Sequence, residues 1–118
     1  MIKGIDHIEI CVGEIDKMAD FFKKLGFTEV RRTDHHGGAV EMLMPGEQGI
    51  IFEFHVGKAV EAPGINHIAF KVDDIDETYS NLQAVGVEFI APPKKSSNRG
   101  TSMLNLRDPY HMRYQFTD

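Results

Sequence analysis

The chain has no tryptophan, a single cysteine, and no basic surplus: 13 lysines and arginines stand against 18 aspartates and glutamates. Each shortage excludes something. One thiol, Cys11, cannot close an internal disulfide, so the core must hold the fold, and the cytoplasm is the expected compartment. A net charge of −5 has the wrong sign for a nucleic-acid-binding domain. No apolar run approaches the roughly 18 residues of a membrane helix, so no membrane partner is expected. The opening Met1-Ile2-Lys3-Gly4-Ile5-Asp6-His7 has no long apolar stretch and no small-residue cleavage site, and is not expected to be a signal peptide. What is present is ordinary for one folded domain: 118 residues, 42% hydrophobic and 26% charged. A chain of this length buries about two thirds of its unfolded surface, enough for a core.

The chain repeats itself. Gly4-Ile5-Asp6-His7-Ile8 matches Gly64-Ile65-Asn66-His67-Ile68 at an offset of 60, and the register continues through Val12 and Val72, Ile15-Asp16 and Ile75-Asp76, and Gly26 and Gly86. The offset then becomes 62, pairing Gly38 with Gly100, Glu53 with Gln115 and Phe54 with Phe116. Two copies are too few for a solenoid. They divide the chain into a module of about residues 1–60 and a second of about 61–118.

Each copy opens with an alternating segment. In residues 4–12, Ile8, Ile10 and Val12 share one face while His7, Glu9 and Cys11 share the other. In residues 64–72, Ile68, Phe70 and Val72 oppose His67, Ala69 and Lys71. A helix is expected after each strand. Ile15, Met18, Ala19, Phe22 and Leu25 form an apolar stripe ending at Gly26. Ile75, Tyr79, Leu82 and Val85 repeat it, with Asp73 or Asp74 as N-cap and Gly86 as stop. Three short strands complete each copy, near 27–33, 39–44 and 49–55, then near 87–91, 101–106 and 111–117. Turns fall at His36-Gly37-Gly38, Pro45-Gly46-Glu47, Pro92-Pro93 and Asp108-Pro109-Tyr110. The segment Lys94–Gly100 reads as a loop. The unit is βαβββ, used twice, an α+β class.

If the helices cover the apolar faces, the opposite faces carry His7 and Glu9, Glu53 and His55, His67 and Lys71, and His111, Arg113 and Gln115. A face of this composition lines a cleft or an interface. His7, Glu53, His67 and Gln115 are related in pairs by the repeat. Two imidazoles, a carboxylate and an amide carbonyl are a candidate ligand set for a divalent metal: nickel, zinc, cobalt, manganese or iron. Four protein ligands on an octahedral ion leave two positions, which suits a small substrate with neighbouring oxygens and an oxyanion-stabilising role for the ion.

These residues carry a resemblance. Ile5-Asp6-His7-Ile8, Ile65-Asn66-His67-Ile68-Ala69-Phe70, Val72-Asp73-Asp74-Ile75-Asp76 and Arg107-Asp108-Pro109-Tyr110-His111-Met112-Arg113-Tyr114-Gln115-Phe116 resemble the vicinal oxygen chelate superfamily. That superfamily includes glyoxalase I, methylmalonyl-CoA epimerase, extradiol dioxygenases, fosfomycin-modifying enzymes and bleomycin-resistance proteins. The resemblance covers essentially the whole chain. It implies paired modules forming a curved, cleft-enclosing mixed sheet, a homodimer, and metal ligands at His7, Glu53, His67 and Gln115. The resemblance allows a cleft shared between chains of the dimer and one kept within a single chain, and both arrangements stay open. Gln115 departs from the glutamate usual there in glyoxalase I and the epimerase; an amide binds metal through oxygen but cannot accept a proton. Asp108-Pro109-Tyr110-His111 departs from the usual Asp-Pro-Asp-Gly turn. Glu53 is a candidate base as well as a ligand. Glu41 is the second candidate base, on the third strand with Ala39 and Leu43, and its bland alternative is a solvated strand residue.

Other residues take plainer readings. His35-His36 reads as a solvated loop, His55 and His111 as exposed strand ends, Arg31-Arg32 as a solvated strand face, and Cys11 as a small packing residue. Lys94, Lys95 and Arg99 read as a wet loop, with an anion-recognising lid as the minority alternative. The leading expectation is a metal-dependent enzyme of glyoxalase type, running lyase or isomerase chemistry through a metal-stabilised enolate. The alternative is a metal-free, bleomycin-resistance-like protein that sequesters a small ligand in a dimer cleft.

Overall fold

The structure is a computed structural model and describes residues 1–34, 37–57, 61–95 and 101–118. His35-His36, and the part of Lys94–Gly100 beyond Lys95, lie outside the described residues. The elements are β1 (Ile2–Cys11), α1 (Ile15–Lys24), β2 (Thr28–Thr33), β3 (Ala39–Leu43), β4 (Ile51–His55), β5 (Gly64–Val72), α2 (Ile75–Ala84), β6 (Lys94–Lys95), β7 (Ser102–Arg107) and β8 (Arg113–Thr117). The α+β class and the repeated βαβββ order are as the sequence implies. Among the described residues no helix is long and apolar enough to cross a membrane. Contacts divide the chain into a first unit, His7–Asn66, and a second, Met1–Asp6 with His67–Asp118.

In the first unit β1 pairs in parallel with β4, β4 antiparallel with β3, and β3 antiparallel with β2. Ala19, Val40, Met42 and Phe54 are its buried core, with Ile10, Val12, Ile15, Met18, Phe22, Phe27 and Phe52 packed around them. Period 3.6 on α1 and period 2 on the strands bring these side chains to one interface. Leu25, included in the helix stripe, is 52% exposed because it sits at the helix C-cap. The chain leaves α1 through Gly26, whose N–H donates to Lys23 O, while the Phe27 N–H donates to Phe22 O. The rings of Phe22 and Phe27 meet at 4.8 Å, the apolar contact that accompanies such a Schellman cap.

The second unit repeats the pattern: β5 parallel to β8, β8 antiparallel to β7, β7 antiparallel to β6. Val72, Ile75, Leu104 and Phe116 form its core, with Phe70, Tyr79, Leu82, Phe89 and Leu106 around them. Helix α2 is capped by Asp74, whose carboxylate accepts from the Glu77 N–H at 3.0 Å. It ends through Gly86 and Val87, which donate to Gln83 O and Leu82 O. Val85, at the C-cap, is exposed like its counterpart Leu25.

One expected strand is absent. Residues 87–91 do not form a ladder; the sixth strand is the two-residue β6, in what the sequence suggested was loop. Phe89 packs against Tyr79, and Ile90 donates to Asn105 O. Pro92 and Pro93 have no N–H to extend that pairing, so the ladder starts only at Lys94.

Candidate functional site

Ladder register places the candidate residues. In the first unit His7 lies opposite Ile51, Glu9 opposite Glu53, and Cys11 opposite His55. Glu53 in turn faces Glu41, and His55 faces Ala39. Residues paired across strands share a face, so His7, Glu9, Cys11, Glu41, Glu53 and His55 all belong to the polar face, away from α1. This face is well buried: His7 is 3%, Glu53 4% and Glu41 7% exposed. The solvated reading of Glu41 is therefore overturned, and so is the exposed reading of His55, which is fully buried.

Across the middle of that face runs a row of carboxylates, Glu9, Glu53 and Glu41, on three adjacent strands. Arg31 ends the row, its Nη1 3.4 Å from Glu41 Oε2. A register shift between Glu29 and Arg31 brings Arg31 there. The extra residue in β2 re-phases the strand, so that Arg31 turns to the polar face while Arg32 turns to the helix side. There Arg32 bonds Glu29 and Asp16. The sequence read both arginines as solvated, and both are exposed, on opposite faces of β2.

In the second unit the same positions carry different chemistry. His67 lies opposite Arg113, and Ala69 opposite Gln115, which faces Asn105. His67 and Gln115 thus stand in the same diagonal relation as His7 and Glu53. They are 3% and 6% exposed. Gln115 Nε2 donates to Asn105 Oδ1 at 3.3 Å, and the same oxygen accepts from Arg113 Nε and Nη2 at 3.3 and 3.1 Å. With its amide nitrogen engaged there, Gln115 is left with Oε1 to offer a metal. Asn105 was missed by the sequence reading; it is the ladder counterpart of Glu41, which was its one available signal.

His111, assigned to the eighth strand by the sequence, precedes β8 instead and is exposed, with φ 69°. It ends the turn built on Asp108, whose Oδ1 accepts from the Tyr110 and Met112 N–H groups at 2.8 and 2.9 Å. Burial opposes ionisation of Asp108, but these backbone donors and the Tyr114 hydroxyl outweigh it and hold the carboxyl below its ordinary range. Burial pushes the Cys11 thiol up, and the carboxylates of Glu61 and Glu9 push the same way. Such a thiol is no nucleophile, in keeping with its plain reading.

Each unit by itself offers donor types that a divalent ion takes, one buried imidazole nitrogen and one buried oxygen in the same diagonal relation, and in the first unit three carboxylates side by side favour a cation.

Comparisons with known proteins bear on the fold and the family. A methylmalonyl-CoA epimerase in complex with methylmalonyl-CoA and NH4+ shares the fold, with a TM-score of 0.79 over 99% of this chain and 94% of that one, at 20% identity. The methylmalonyl-CoA epimerase of Mycobacterium tuberculosis does likewise, with a TM-score of 0.79 over 98% and 87% of the two chains at 19% identity. In sequence, the glyoxalase domain-containing protein RDO1 of Mycosarcoma maydis is 28% identical over an alignment of 116 positions that covers 92% of this chain and 64% of that protein. The chain thus spans less than two thirds of the length of that relative. The family model of the Glyoxalase/Bleomycin resistance protein/Dioxygenase superfamily matches residues 4–116, nearly the whole sequence, and the chain belongs to that superfamily.

Proposed function

We propose that the chain is a divalent-metal-dependent enzyme of glyoxalase type, moving a proton at the carbon beside a carbonyl in a small substrate with two neighbouring oxygens. Lyase and isomerase reactions share that step. His7, Glu53, His67 and Gln115 would hold the ion. When bound, the ion would supply Lewis-acid stabilisation of the developing oxyanion. The observation that carries this reading is the buried row Glu9-Glu53-Glu41 beside His7. Like charges on adjacent strands repel, and a divalent cation at Glu53 relieves that repulsion.

The remaining roles fall to the chain's own groups. Glu41, directly opposite Glu53, is the base, which leaves Glu53 to the ion. Arg31 positions Glu41 through their ion pair. Asn105 holds the Gln115 amide so that its oxygen is presented. Because Gln115 cannot take a proton, catalysis is one-sided: Glu41 of the first unit does the proton transfer. The same reading expects a homodimer in the cytoplasm. The first substrate class to test is a 2-carboxyacyl thioester, since the structural neighbours include an epimerase bound to methylmalonyl-CoA. Adducts of dicarbonyl compounds come second.

The test is hydrogen exchange in deuterated water. Protein loaded in turn with nickel, zinc, cobalt, manganese or ferrous iron is incubated with methylmalonyl-CoA and with a glyoxal–thiol adduct, and the carbon-bound proton is followed by NMR. Metal-dependent exchange, abolished by chelation and by His7→Ala, is expected. Exchange indifferent to both treatments would contradict the reading. Failure of every ion to bind would turn the search to ligand sequestration.

A further inference from the structure

The polar face of the first unit carries a second group of metal-ligating side chains beyond the carboxylate row. Cys11 and His55 are paired directly in the β1–β4 ladder, and Glu61 reaches them from the segment before β5. One ligand atom from each of the three lies within 4.8 Å of the other two. The two nitrogens of His55 face different carboxylates: Nε2 is 3.3 Å from Glu61 Oε2, and Nδ1 is 3.6 Å from Glu9 Oε2. Gly57 makes the arrangement possible, because a Cβ there would collide with both the Cys11 Sγ and the Glu61 Oε2.

Sulfur, imidazole nitrogen and carboxylate oxygen are the three donor types that zinc takes. Bonds of about 2.0–2.3 Å place tetrahedral ligands roughly 3.3–3.7 Å apart, so small side-chain rotations close the group on an ion. A metal-bound imidazole ordinarily donates its other N–H to a carboxylate, and Glu9 stands where that acceptor is needed. The four residues come from two strands and a connection of one unit.

We propose that Cys11, His55 and Glu61 form a binding site for a thiophilic divalent cation, zinc foremost, with Glu9 positioning His55 and water in the fourth place. None of the three is among the ligands of the proposed catalytic ion, so the two sites stand or fall separately. As the sulfur–metal bond forms, the Cys11 S–H bond breaks and its proton goes to solvent. The bound ion would tie the segment at Glu61 to the ends of β1 and β4.

Cobalt(II) titration of the full-length chain tests this in a His7→Ala, His67→Ala background, which removes the other site. A thiolate-to-cobalt charge-transfer band is expected, saturating at one ion per chain and displaced by zinc. Cys11 is the sole cysteine, so the band reports on this site alone. Glu61→Gln should weaken cobalt binding about tenfold or more, and Glu9→Gln by a similar factor through His55. His55 is fully buried and its substitution can unfold the protein, so the partly exposed Glu61 carries the comparison. A folded protein that shows no charge-transfer band under excess cobalt would overturn the site, and so would a band whose affinity Glu61→Gln leaves unchanged.

Discussion

The two units share a backbone and differ in chemistry. Helices α1 and α2 run over Ile15–Lys24 and Ile75–Ala84, ten residues each, and both leave through a glycine into the same cap. Phe54 and Phe116 sit in equivalent places in the two cores. On the polar faces the likeness stops. Where the first unit has Glu9, Glu53 and Glu41, the second has Ala69, Gln115 and Asn105. The apolar faces are constrained by packing in both copies, whereas the polar faces were able to diverge. On the reading proposed here, one copy supplies charge and proton transfer and the other supplies neutral donors held in place by hydrogen bonds.

The sharpest way to break this asymmetry is to give the first unit the second unit's residue. Glu41→Asn installs what the counterpart position already has. Turnover should fall about 10²–10⁴-fold while the metal content stays intact, because a base is lost and a ligand is not. Loss of metal together with turnover would make Glu41 a ligand instead. Next in size is Asn105→Ala, which frees the Gln115 amide to turn. Metal affinity should drop roughly tenfold to a hundredfold, measured by competition with a chromogenic chelator.

A smaller effect tests the backbone equivalence itself. Gly49 has φ 68° and His111, its repeat partner at offset 62, has φ 69°. A side chain in that conformation costs about 1 kcal/mol. His111→Gly should therefore stabilise the protein by about that much in urea unfolding, and Gly49→His should destabilise it comparably. The smallest effect lies in the ionic clasp of the first unit. The Arg32 guanidinium, seconded by Lys23 against the opposing effect of burial, holds Glu29 at about 2. A depressed carboxylate contributes stability above its unfolded pKa of about 4.3 and loses it as the pH falls through the folded value. Acid titration should show that loss between about pH 4.5 and 2, and Arg32→Gln should remove it. Both groups are partly exposed, so the contribution is at most about 1 kcal/mol.

Much of this was legible because the chain is duplicated: a pattern read twice fixes strand starts, helix stripes and the faces of His7, Glu53, His67 and Gln115. Three features were not. The stretch 87–91 alternates like a strand, but two prolines deny it a ladder. The bulge before Arg31 reverses a face, which alternation alone gives wrongly. The Cys11-His55-Glu61 group depends on where a connection folds back, and no periodicity reports that.

Elemental analysis bears most directly on the proposed chemistry. It should be made on a Cys11→Ser chain, where the thiolate site is silenced, with and without His7→Ala and His67→Ala. One divalent ion per chain, lost when the two histidines are replaced, is the expected result. A chain that holds no ion after reconstitution, or holds it equally well without both histidines, would contradict a metal centre built on His7, Glu53, His67 and Gln115.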